Sequence, residues 1–446
     1  MRETRLPGDA ALAVERIGKA DLVVGIPSYN NECTITHVAL AAQAGLMKYF
    51  PRFRSVIVNS DGGSKDGTRD ALLSAHIEAP HLLLLATPLF PVHRLSFPYH
   101  GIPGKGSSFR LVFELARELG AKACAVVDSD LRSITPEWFD LLLRPIMDGN
   151  FDFVAPYYHR HKYDGTITNS IVYPLTRALY GYRVRQPIGG EFGVSANLIS
   201  RYLERDDWET DVARFGIDIW MTTIALAERF RVCQSFLGAK LHDAKDPAAD
   251  LSAMLQQVVG SVFTLMDEYQ PIWANRKGSE AVDVFGFRFD VGLDPVAVNT
   301  GRMLETFRRG AADLAEIWSM ALEPETLGAV RQLAEQSISG ADSFHLEDEL
   351  WARIVTELAC AHHGLPLERS HLLRSLTPLY LARVASFVIE TEELDAIRVE
   401  EKIEHLCLCF EALKPRLISR WNEAGAHGQA SEQEVAAQTA DLKLEV

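Results

Sequence analysis

Two carboxylates spaced one residue apart, Asp128 and Asp130, follow a run of small and β-branched residues at 123–127 (ACAVV). Such a run predicts a buried parallel strand, whose carboxyl end is where open α/β sheets bind their ligands. Neighbouring carboxylates need a cation or a hydroxyl partner, and a divalent hard cation that also contacts phosphate oxygens suits them. The alternative is a solvated turn, because D-x-D is common by chance.

Two earlier predicted strands also end in polar turns. The strands are residues 21–26 (DLVVGI) and 55–59 (SVIVN), and the turns are residues 27–32 (PSYNNE) and 60–68 (SDGGSKDGT). A base or ribose could bind at the first turn or at Asp61. The alternatives are N-capping of the next helix by Asn30 or Asn31, and a simple Asp-Gly turn at Asp61.

A third polar segment, residues 104–108 (GKGSS), precedes a predicted helix. Its glycines would let the backbone approach a phosphate at the helix N-terminus, with Lys105 adding charge. It is neither a Walker motif nor a dinucleotide fingerprint, since Phe109 stands where the third glycine belongs. The alternative is a tight loop with a solvated lysine.

Other candidate residues lie further along the chain. His242, just after a predicted strand at 231–237, could complete a metal site with two carboxylates, although a lone histidine is more often a surface or core residue. Asp218 opens a predicted helix, where it is either a helix N-terminal acid or an active-site carboxylate. His159 and Arg160 lie in a basic loop suited to contact with an anion.

These segments predict an α/β fold with a doubly wound, mostly parallel sheet, because strands and helices alternate from the start of the chain. We expect a third strand at 81–86, a long loop at 88–104, and helices almost exclusively after Pro247, including 377–390 and 393–421. The predicted domains are 1–247, a nucleotide-binding catalytic domain, and 248–446, a helical region that shapes an acceptor pocket, forms a dimer, or both.

Composition excludes some classes of protein. The chain has 446 residues and a formal net charge of -15, which disfavours a duplex nucleic-acid binder. Its six cysteines form no CxxC pair, so reduced thiols are expected. Neither a signal peptide nor an apolar run of about 18 residues is apparent, so we expect a cytoplasmic protein that does not span a membrane.

Four segments, taken in order, resemble the GT-A nucleotide-sugar glycosyltransferases: residues 27–32, 60–68, 104–106 and 128–130. The family-2-like members of that group show the motifs P-x-x-N-E, D-x-(S/G)-x-D-x-T and D-x-D. The chain departs at Asn31, where an acid is common. The resemblance implies binding of a nucleoside-diphosphate sugar. The implied donor-binding residues are Pro27, Ser28, Tyr29, Asn31, Asp61, Lys105, Asp128, Ser129, Gly189 and Gly190.

A closer resemblance is to the retaining glucosyl-3-phosphoglycerate synthase family. It is carried by residues 186–192 (QPIGGEF), residues 215–218 (FGID) and the later His242. That resemblance implies that Asp130 and His242 hold Mg²⁺ or Mn²⁺ and that Gly189 and Gly190 let the backbone approach the donor sugar. Asp218 replaces the family's glutamate and is implied to bind sugar hydroxyls. The implied catalytic residues are Asp218, Lys105 and Asp130.

The acceptor loop departs from that family. Where the family reads G-R-V-T and its arginine grips the acceptor phosphate, this chain reads Gly165-Thr166-Ile167-Thr168, and threonine supplies no bidentate cation. Residues 379–388 (LYLARVASFV) resemble glucosylglycerate synthases, which join glucose directly to D-glycerate. The expected acceptor-binding residues are Gly165, Thr166, Thr168, His159 and Arg160, with Lys162 a further cation for the glycerate carboxylate.

The resemblance implies a metal-dependent hexosyltransferase that retains configuration, and we predict a homodimer. Three alternatives stay open: a glucosyl- or mannosyl-3-phosphoglycerate synthase, a sugar-phosphate nucleotidylyltransferase, and a non-catalytic sugar-nucleotide-binding protein. The usual nucleotidylyltransferase opening, G-x-G-T-R-L, is not found.

Overall fold

The computed structural model describes residues 6–75, 90, 92–99, 103–241, 252–288, 296–336, 344–365 and 367–444, with side chains as far as residue 426. The chain forms two compact units. The sheet unit comprises Met1–Arg160, Arg183–Ala244 and Ala281–Asp294, and the helical unit comprises His161–Tyr182, Lys245–Glu280 and Pro295–Val446. The sequence predicted one boundary, after residue 247. In the structure the segments of the two units alternate along the chain instead, because residues 161–182 belong to the helical unit and residues 281–294 to the sheet unit.

The sheet unit is built on eight strands in the order β10-β8-β5-β7-β4-β1-β2-β3. Every neighbouring pair is parallel except those that β7 makes with β4 and β5. The strands are β1 (Leu22–Ser28), β2 (Ser55–Asp61), β3 (Val92–Pro98), β4 (Ala123–Val126), β5 (Phe153–His159), β7 (Phe192–Ser195), β8 (Val232–Ala239) and β10 (Val284–Phe285), and the two-residue strands β6 (Tyr182–Arg183) and β9 (Glu280–Ala281) lie outside this sheet. The predicted α/β class with a mostly parallel sheet is confirmed.

Helices cover the sheet because its central strands are apolar on both faces. All residues of β1 and β4 are buried. One core cluster packs Val24 and Ala125 of these strands against Leu46 and Phe139 of the helices. The helices of this unit are α1 (Gly8–Ile17), α2 (Glu32–Tyr49), α3 (Thr68–Ser74), α4 (Lys105–Glu118), α5 (Pro136–Gly149), α7 (Ala196–Leu203) and α8 (Ile217–Ala227).

The third strand of the sheet corrects the sequence prediction. The strand expected at 81–86 lies outside the described residues, and β3 (Val92–Pro98) falls inside the segment expected to be a loop. Among the described residues, β3 pairs with β2 alone, at the end of the strand order, and its exposed and buried positions are mixed. An edge strand tolerates a terminal proline such as Pro98, so the prolines misled the prediction.

The helical unit contains α6 (Tyr173–Tyr180), which follows a π-helical turn at Thr168–Val172, and a long series of later helices. These are α9 (Ser252–Trp273), α10 (Thr300–Asp313), α11 (Ala315–Ala321), α12 (Pro324–Gln336), α13 (Asp348–Gly364), α14 (Arg369–Thr391) and α15 (Ala396–Leu444). The predicted helices 377–390 and 393–421 lie almost entirely within α14 and α15, so the helical C-terminal region is confirmed.

Within the described part of the chain, α14 is the one helix long and apolar enough to cross a membrane by length and composition. Its most apolar window has a mean hydropathy of 1.3, and 78% of that window is buried inside the protein. Core helices pass the same test, so length and composition alone do not make α14 a membrane span.

Candidate functional site

The turns after β1 and β2 are joined by hydrogen bonds. Asn31 N donates to Thr68 Oγ1 at 2.8 Å, and Asn30 N donates to Ser64 Oγ at 2.9 Å. Asp61 is buried, and its carboxylate accepts bonds from Ser28 Oγ and from the amides of residues 63 and 64. The structure therefore places Ser28 and Asp61 together, with the Asp61 carboxylate holding the shape of its own loop.

The first turn also contacts the Asp-Ser-Asp turn. Ser129 Oγ donates to Asn31 Oδ1 at 2.8 Å, and Thr34 Oγ1 donates to the carbonyl oxygen of Ser129 at 2.7 Å. Asn31 stands at the N-cap of α2 but makes no capping bond through its side chain. Its side chain therefore connects two of the predicted donor segments, while Tyr29 beside it is 58% exposed.

The glycines beside Lys105 have a packing role. A Cβ on Gly104 would lie 2.3 Å from the carbonyl oxygen of Ala213, and a Cβ on Gly106 would lie 1.8 Å from that of Val212. Only glycine permits this approach of the α4 N-terminus to the neighbouring turn. The backbone of 104–106 is thus packed on its own chain, and Lys105 is the part of the motif that reaches the site.

Lys105 and a second lysine hold the carboxylate of Asp128. Lys105 Nζ lies 2.8 Å from Asp128 Oδ1 and 3.2 Å from Asp218 Oδ2. Lys240 Nζ lies 3.1 Å from Asp128 Oδ2. The cation partners of Asp128 in this structure are therefore two ammonium groups. The other oxygen of Asp218, Oδ1, is buried without a hydrogen-bond partner among the described residues.

Lys240 also contacts Glu191, which is fully buried. Lys240 Nζ donates to both carboxylate oxygens of Glu191, at 2.8 and 2.9 Å, and to the carbonyl oxygen of Gly189 at 2.8 Å. The Tyr158 hydroxyl donates to Glu191 Oε2. These bonds fix the loop at 186–193 to the ends of β5 and β8.

Gly190 fits into this cluster because it has no side chain. Its φ is 97°, and a Cβ there would lie 2.4 Å from Asp128 Oδ2 and 3.0 Å from Lys240 Nζ. A positive φ favours glycine, and the close approach requires it. Asp128 and Gly190, both predicted to bind the donor, are therefore in direct contact.

The charges of the cluster shift the pKa values of its members. Burial raises the pKa of Asp128, but Lys105 and Lys240 outweigh it and hold the pKa well below its usual range. Burial raises the pKa of Glu191 to about 7, against the attraction of Lys240. Burial also raises the pKa of Asp218, and Lys105 opposes that shift. Asp128 therefore stays ionised at neutral pH. Glu191 holds a proton more readily than an ordinary glutamate does.

Asp130 differs from Asp128 in its surroundings. It is half-buried at the end of the same turn, and no hydrogen bond or ion pair engages its carboxylate within the ranges that the structure describes. His242, its predicted partner as a metal ligand, lies outside the described residues. A half-buried carboxylate without a partner fits a hard divalent cation, which takes oxygen ligands.

The predicted acceptor residues fall in both units. His159 and Arg160 belong to the sheet unit, where Arg160 Nη2 lies 3.4 Å from the carbonyl oxygen of Gly189. Gly165, Thr166 and Thr168 belong to the helical unit.

Thr166 is 4% exposed in the helical unit, and its hydroxyl lies 2.6 Å from that of Tyr380. Lys162, considered as a cation for glycerate, instead donates to the carbonyl oxygens of Thr391, Glu392 and Leu394. An ammonium has three donors, so these bonds saturate it and the expectation for Lys162 is wrong.

Sequence reasoning missed three residues of the cluster: Lys240, Glu191 and Tyr158. Glu191 lies inside the segment 186–192 that carries the family resemblance, so its position in that motif was an available signal. Lys240 lies two residues before His242, at the end of a predicted strand. A single lysine or tyrosine at a strand end has no distinctive pattern, and only the fold brings these residues to Asp128.

No protein-family model and no curated protein sequence matches this chain. Among solved structures, it is similar to glucosyl-3-phosphoglycerate synthase from Mycobacterium tuberculosis in complex with Mn²⁺, uridine diphosphate and glucosyl-3-phosphoglycerate. The identity is 19% and the TM-score is 0.41, and the match covers 59% of this chain and 85% of that chain. The complex of that synthase with Mg²⁺ and uridine diphosphate is 18% identical, with a TM-score of 0.41 over 60% and 85%. At these values the similarity assigns no activity to the chain.

Proposed function

We propose that this chain is a metal-dependent hexosyltransferase that moves glucose from a nucleoside-diphosphate glucose to D-glycerate, giving glucosylglycerate. The observation that carries the proposal is the position of the Lys105 ammonium, between Asp128 and Asp218 at the carboxyl ends of the strands. Asp218 Oδ1 has no partner among the described residues, and neither has the carboxylate of Asp130, two residues after Asp128. The cluster thus offers an ammonium for a diphosphate and acceptor oxygens for sugar hydroxyls.

The open carboxylate of Asp130 supports a divalent cation. It engages in no hydrogen bond or ion pair among the described residues, and hard divalent cations take oxygen ligands. We propose that Asp130 and His242 hold Mg²⁺ or Mn²⁺. When bound, the cation supplies electrostatic stabilisation of the negative charge that develops on the leaving diphosphate.

In the proposed reaction, a glycerate hydroxyl forms a bond to the anomeric carbon of glucose while the bond from that carbon to the diphosphate oxygen breaks. The proton of the hydroxyl passes to the leaving diphosphate, so no protein nucleophile is required. The role proposed for Lys105 is to neutralise the developing charge. Asp218 Oδ1 accepts a hydrogen bond from a sugar hydroxyl, and Asp128 does so near the ribose or the sugar.

Thr166 supports an unphosphorylated acceptor. Its side chain is neutral, buried and bonded to Tyr380 in the helical unit, so it provides no charge for a phosphate. His159 and Arg160 are the residues of the sheet unit that we propose to meet the glycerate carboxylate. A homodimer and a cytoplasmic location remain predictions.

The test is an assay of purified protein with Mg²⁺ or Mn²⁺, a panel of nucleotide sugars, and D-glycerate beside 3-phospho-D-glycerate. Release of nucleoside diphosphate that depends on D-glycerate supports the proposal. Because the solved synthase was crystallised with uridine-diphosphate-glucose, that donor is the first of the panel.

Three other outcomes would replace the proposal. Release driven only by phosphoglycerate would make the chain a glucosyl- or mannosyl-3-phosphoglycerate synthase. Release of pyrophosphate from a nucleoside triphosphate and a sugar phosphate would indicate a nucleotidylyltransferase. Binding of the donor without turnover with either acceptor would indicate a sugar-nucleotide-binding protein.

A further inference from the structure

Three side chains with different ligand atoms meet in the helical unit, separate from the cluster around Lys105. Asp348 is the first residue of α13, and His405 and Cys409 lie four residues apart on α15. Residues four apart on a helix share one face, so the imidazole and the thiol point the same way. One ligand atom from each of the three residues lies within 4.8 Å of the others.

The individual distances are close to those that a shared cation needs. Asp348 Oδ2 lies 2.6 Å from His405 Nδ1, and Cys409 Sγ lies 3.9 Å from the same nitrogen. Around a tetrahedral Zn²⁺ with ordinary bond lengths, a nitrogen and an oxygen are about 3.3 Å apart and a nitrogen and a sulfur about 3.6 Å. The distances in the structure differ from these by about 0.7 Å and 0.3 Å, respectively.

The set of ligand atoms selects the kind of metal. A thiolate, an imidazole and a carboxylate suit Zn²⁺ or Co²⁺, whereas Mg²⁺ and Mn²⁺ favour oxygen ligands. The His405 side chain is 59% exposed, which gives a metal ion and a fourth, water ligand access to the group. Cys409 is buried, so its sulfur would be shielded from bulk solvent.

The charges near Cys409 act on its thiol. Burial and the carboxylates of Glu349 and Asp348 raise the pKa of Cys409 to about 12, so the thiol keeps its proton while no cation is present. A bound divalent ion reverses this balance, since a coordinating thiol is deprotonated. Arg383 Nη2 donates to Asp348 Oδ1 at 2.5 Å, which orients the carboxylate and leaves Oδ2 for the metal.

We propose that Asp348, His405 and Cys409 form a binding site for a borderline-soft divalent metal of the Zn²⁺ class, with a fourth position open to water. The site links the start of α13 to α15 and is distinct in chemistry from the Mg²⁺ or Mn²⁺ site proposed at Asp130. It does not depend on the proposed transferase activity.

The test is a Co²⁺ titration of the full chain, reduced and freed of metal with a chelator. Wild-type protein is expected to develop a thiolate-to-cobalt charge-transfer band and the intense visible bands of a tetrahedral site, and Zn²⁺ should displace both. Ions held by Asp130 have no thiolate ligand and give no such band. The matched thiol variants are Cys409→Ser and Cys33→Ser, because Cys33 is an exposed cysteine of the sheet unit.

The band should disappear in Cys409→Ser and persist in Cys33→Ser. His405→Asn should weaken Co²⁺ binding by at least about 10-fold, whereas His371→Asn, a change at another exposed histidine of this unit, should leave it unchanged. His405 is exposed, so its variant tests the site even if Cys409→Ser fails to fold. The absence of a charge-transfer band in wild type, or its loss only in Cys33→Ser, would overturn the proposal.

Discussion

Two groups of buried charges, one in each unit, are satisfied differently. In the helical unit, Arg177 is fully buried and donates to Glu404 and Glu411. Lys414 donates to the carbonyl oxygens of Ala178, Leu179 and Arg276. Those bonds occupy all three donors of the Lys414 ammonium.

In the sheet unit, by contrast, the cluster around Lys105 leaves acceptor atoms open. Asp218 Oδ1 has no hydrogen-bond partner, and neither has the Asp130 carboxylate, among the described residues. A buried polar group without a partner costs free energy. The charges of Arg177 and Lys414 thus pair with carboxylates and carbonyl oxygens of their own unit, whereas the cluster around Lys105 keeps an acceptor oxygen of Asp218 open.

The largest effect is expected for Asp130→Asn. Because nothing among the described residues bonds to this carboxylate, the change should leave thermal stability unaltered while lowering kcat/KM by about 10²–10³-fold. Steady-state kinetics with Mg²⁺ and D-glycerate would measure the loss. Asp148→Asn, at an exposed residue paired with Arg144, is the control and should keep full activity. Equal activity in both variants would break the assignment of Asp130.

In the helical unit, Arg177→Met should reduce the free energy of unfolding by about 3 kcal/mol, since it leaves Glu404 and Glu411 without their buried cation. Hydrogen exchange across α6 and α15 would measure the change. Arg309→Met removes a surface ion pair with Glu305 and should cost about 0.5 kcal/mol or less. If the two variants were equally stable, the Arg177 cluster would not be structural.

Gly190→Ala tests the packing of the site. The added Cβ meets Asp128 at a positive φ, so we expect a stability loss of about 1–3 kcal/mol and a fall in kcat/KM of about 10²-fold. Gly63→Ala is the matched control, because Gly63 has a φ of 82° but nothing within 4 Å of its Cβ position. It should lose stability without losing activity, and an equal loss of activity in the two would contradict the contact with Asp128.

The smallest effect concerns pH. His362 in the helical unit is buried, and burial lowers its pKa to about 4 from an ordinary value near 6.5. The unfolded chain therefore binds the proton more tightly between these values, so stability is lost as the pH falls from 6.5 towards 4. We expect a loss of roughly 1–2 kcal/mol at pH 5 in wild type and a flatter profile in His362→Gln. An unchanged profile would exclude His362, and exposed His371→Gln serves as the control.

Much of the sheet was predictable because each βα unit combines an apolar run with a polar turn. β1, β2 and β4 lie where these runs occur, and the turn at Asp128 follows β4 as expected. β3 was missed because an edge strand with mixed burial and flanking prolines lacks that pattern.

The candidate site was predicted only in part. The family motifs identified Lys105, Asp128 and Asp218, which the fold brings together. Lys240 and Asp128 are 112 residues apart, and no local pattern relates them. Thr166 was expected to face an acceptor, but a sequence cannot tell that its hydroxyl pairs with Tyr380, 214 residues away.

In the proposed reaction, the double pairing of Lys105 has a consequence for stabilisation of the transition state. Its ammonium is already neutralised by Asp128 and Asp218, so a diphosphate that reaches it exchanges one anionic partner for another. Such an exchange adds little affinity for the ground state of the donor. The gain comes when the bond to glucose breaks and the diphosphate becomes a stronger competitor than either carboxylate. In the proposed reaction, the two aspartates thus reserve the charge of Lys105 for the transition state.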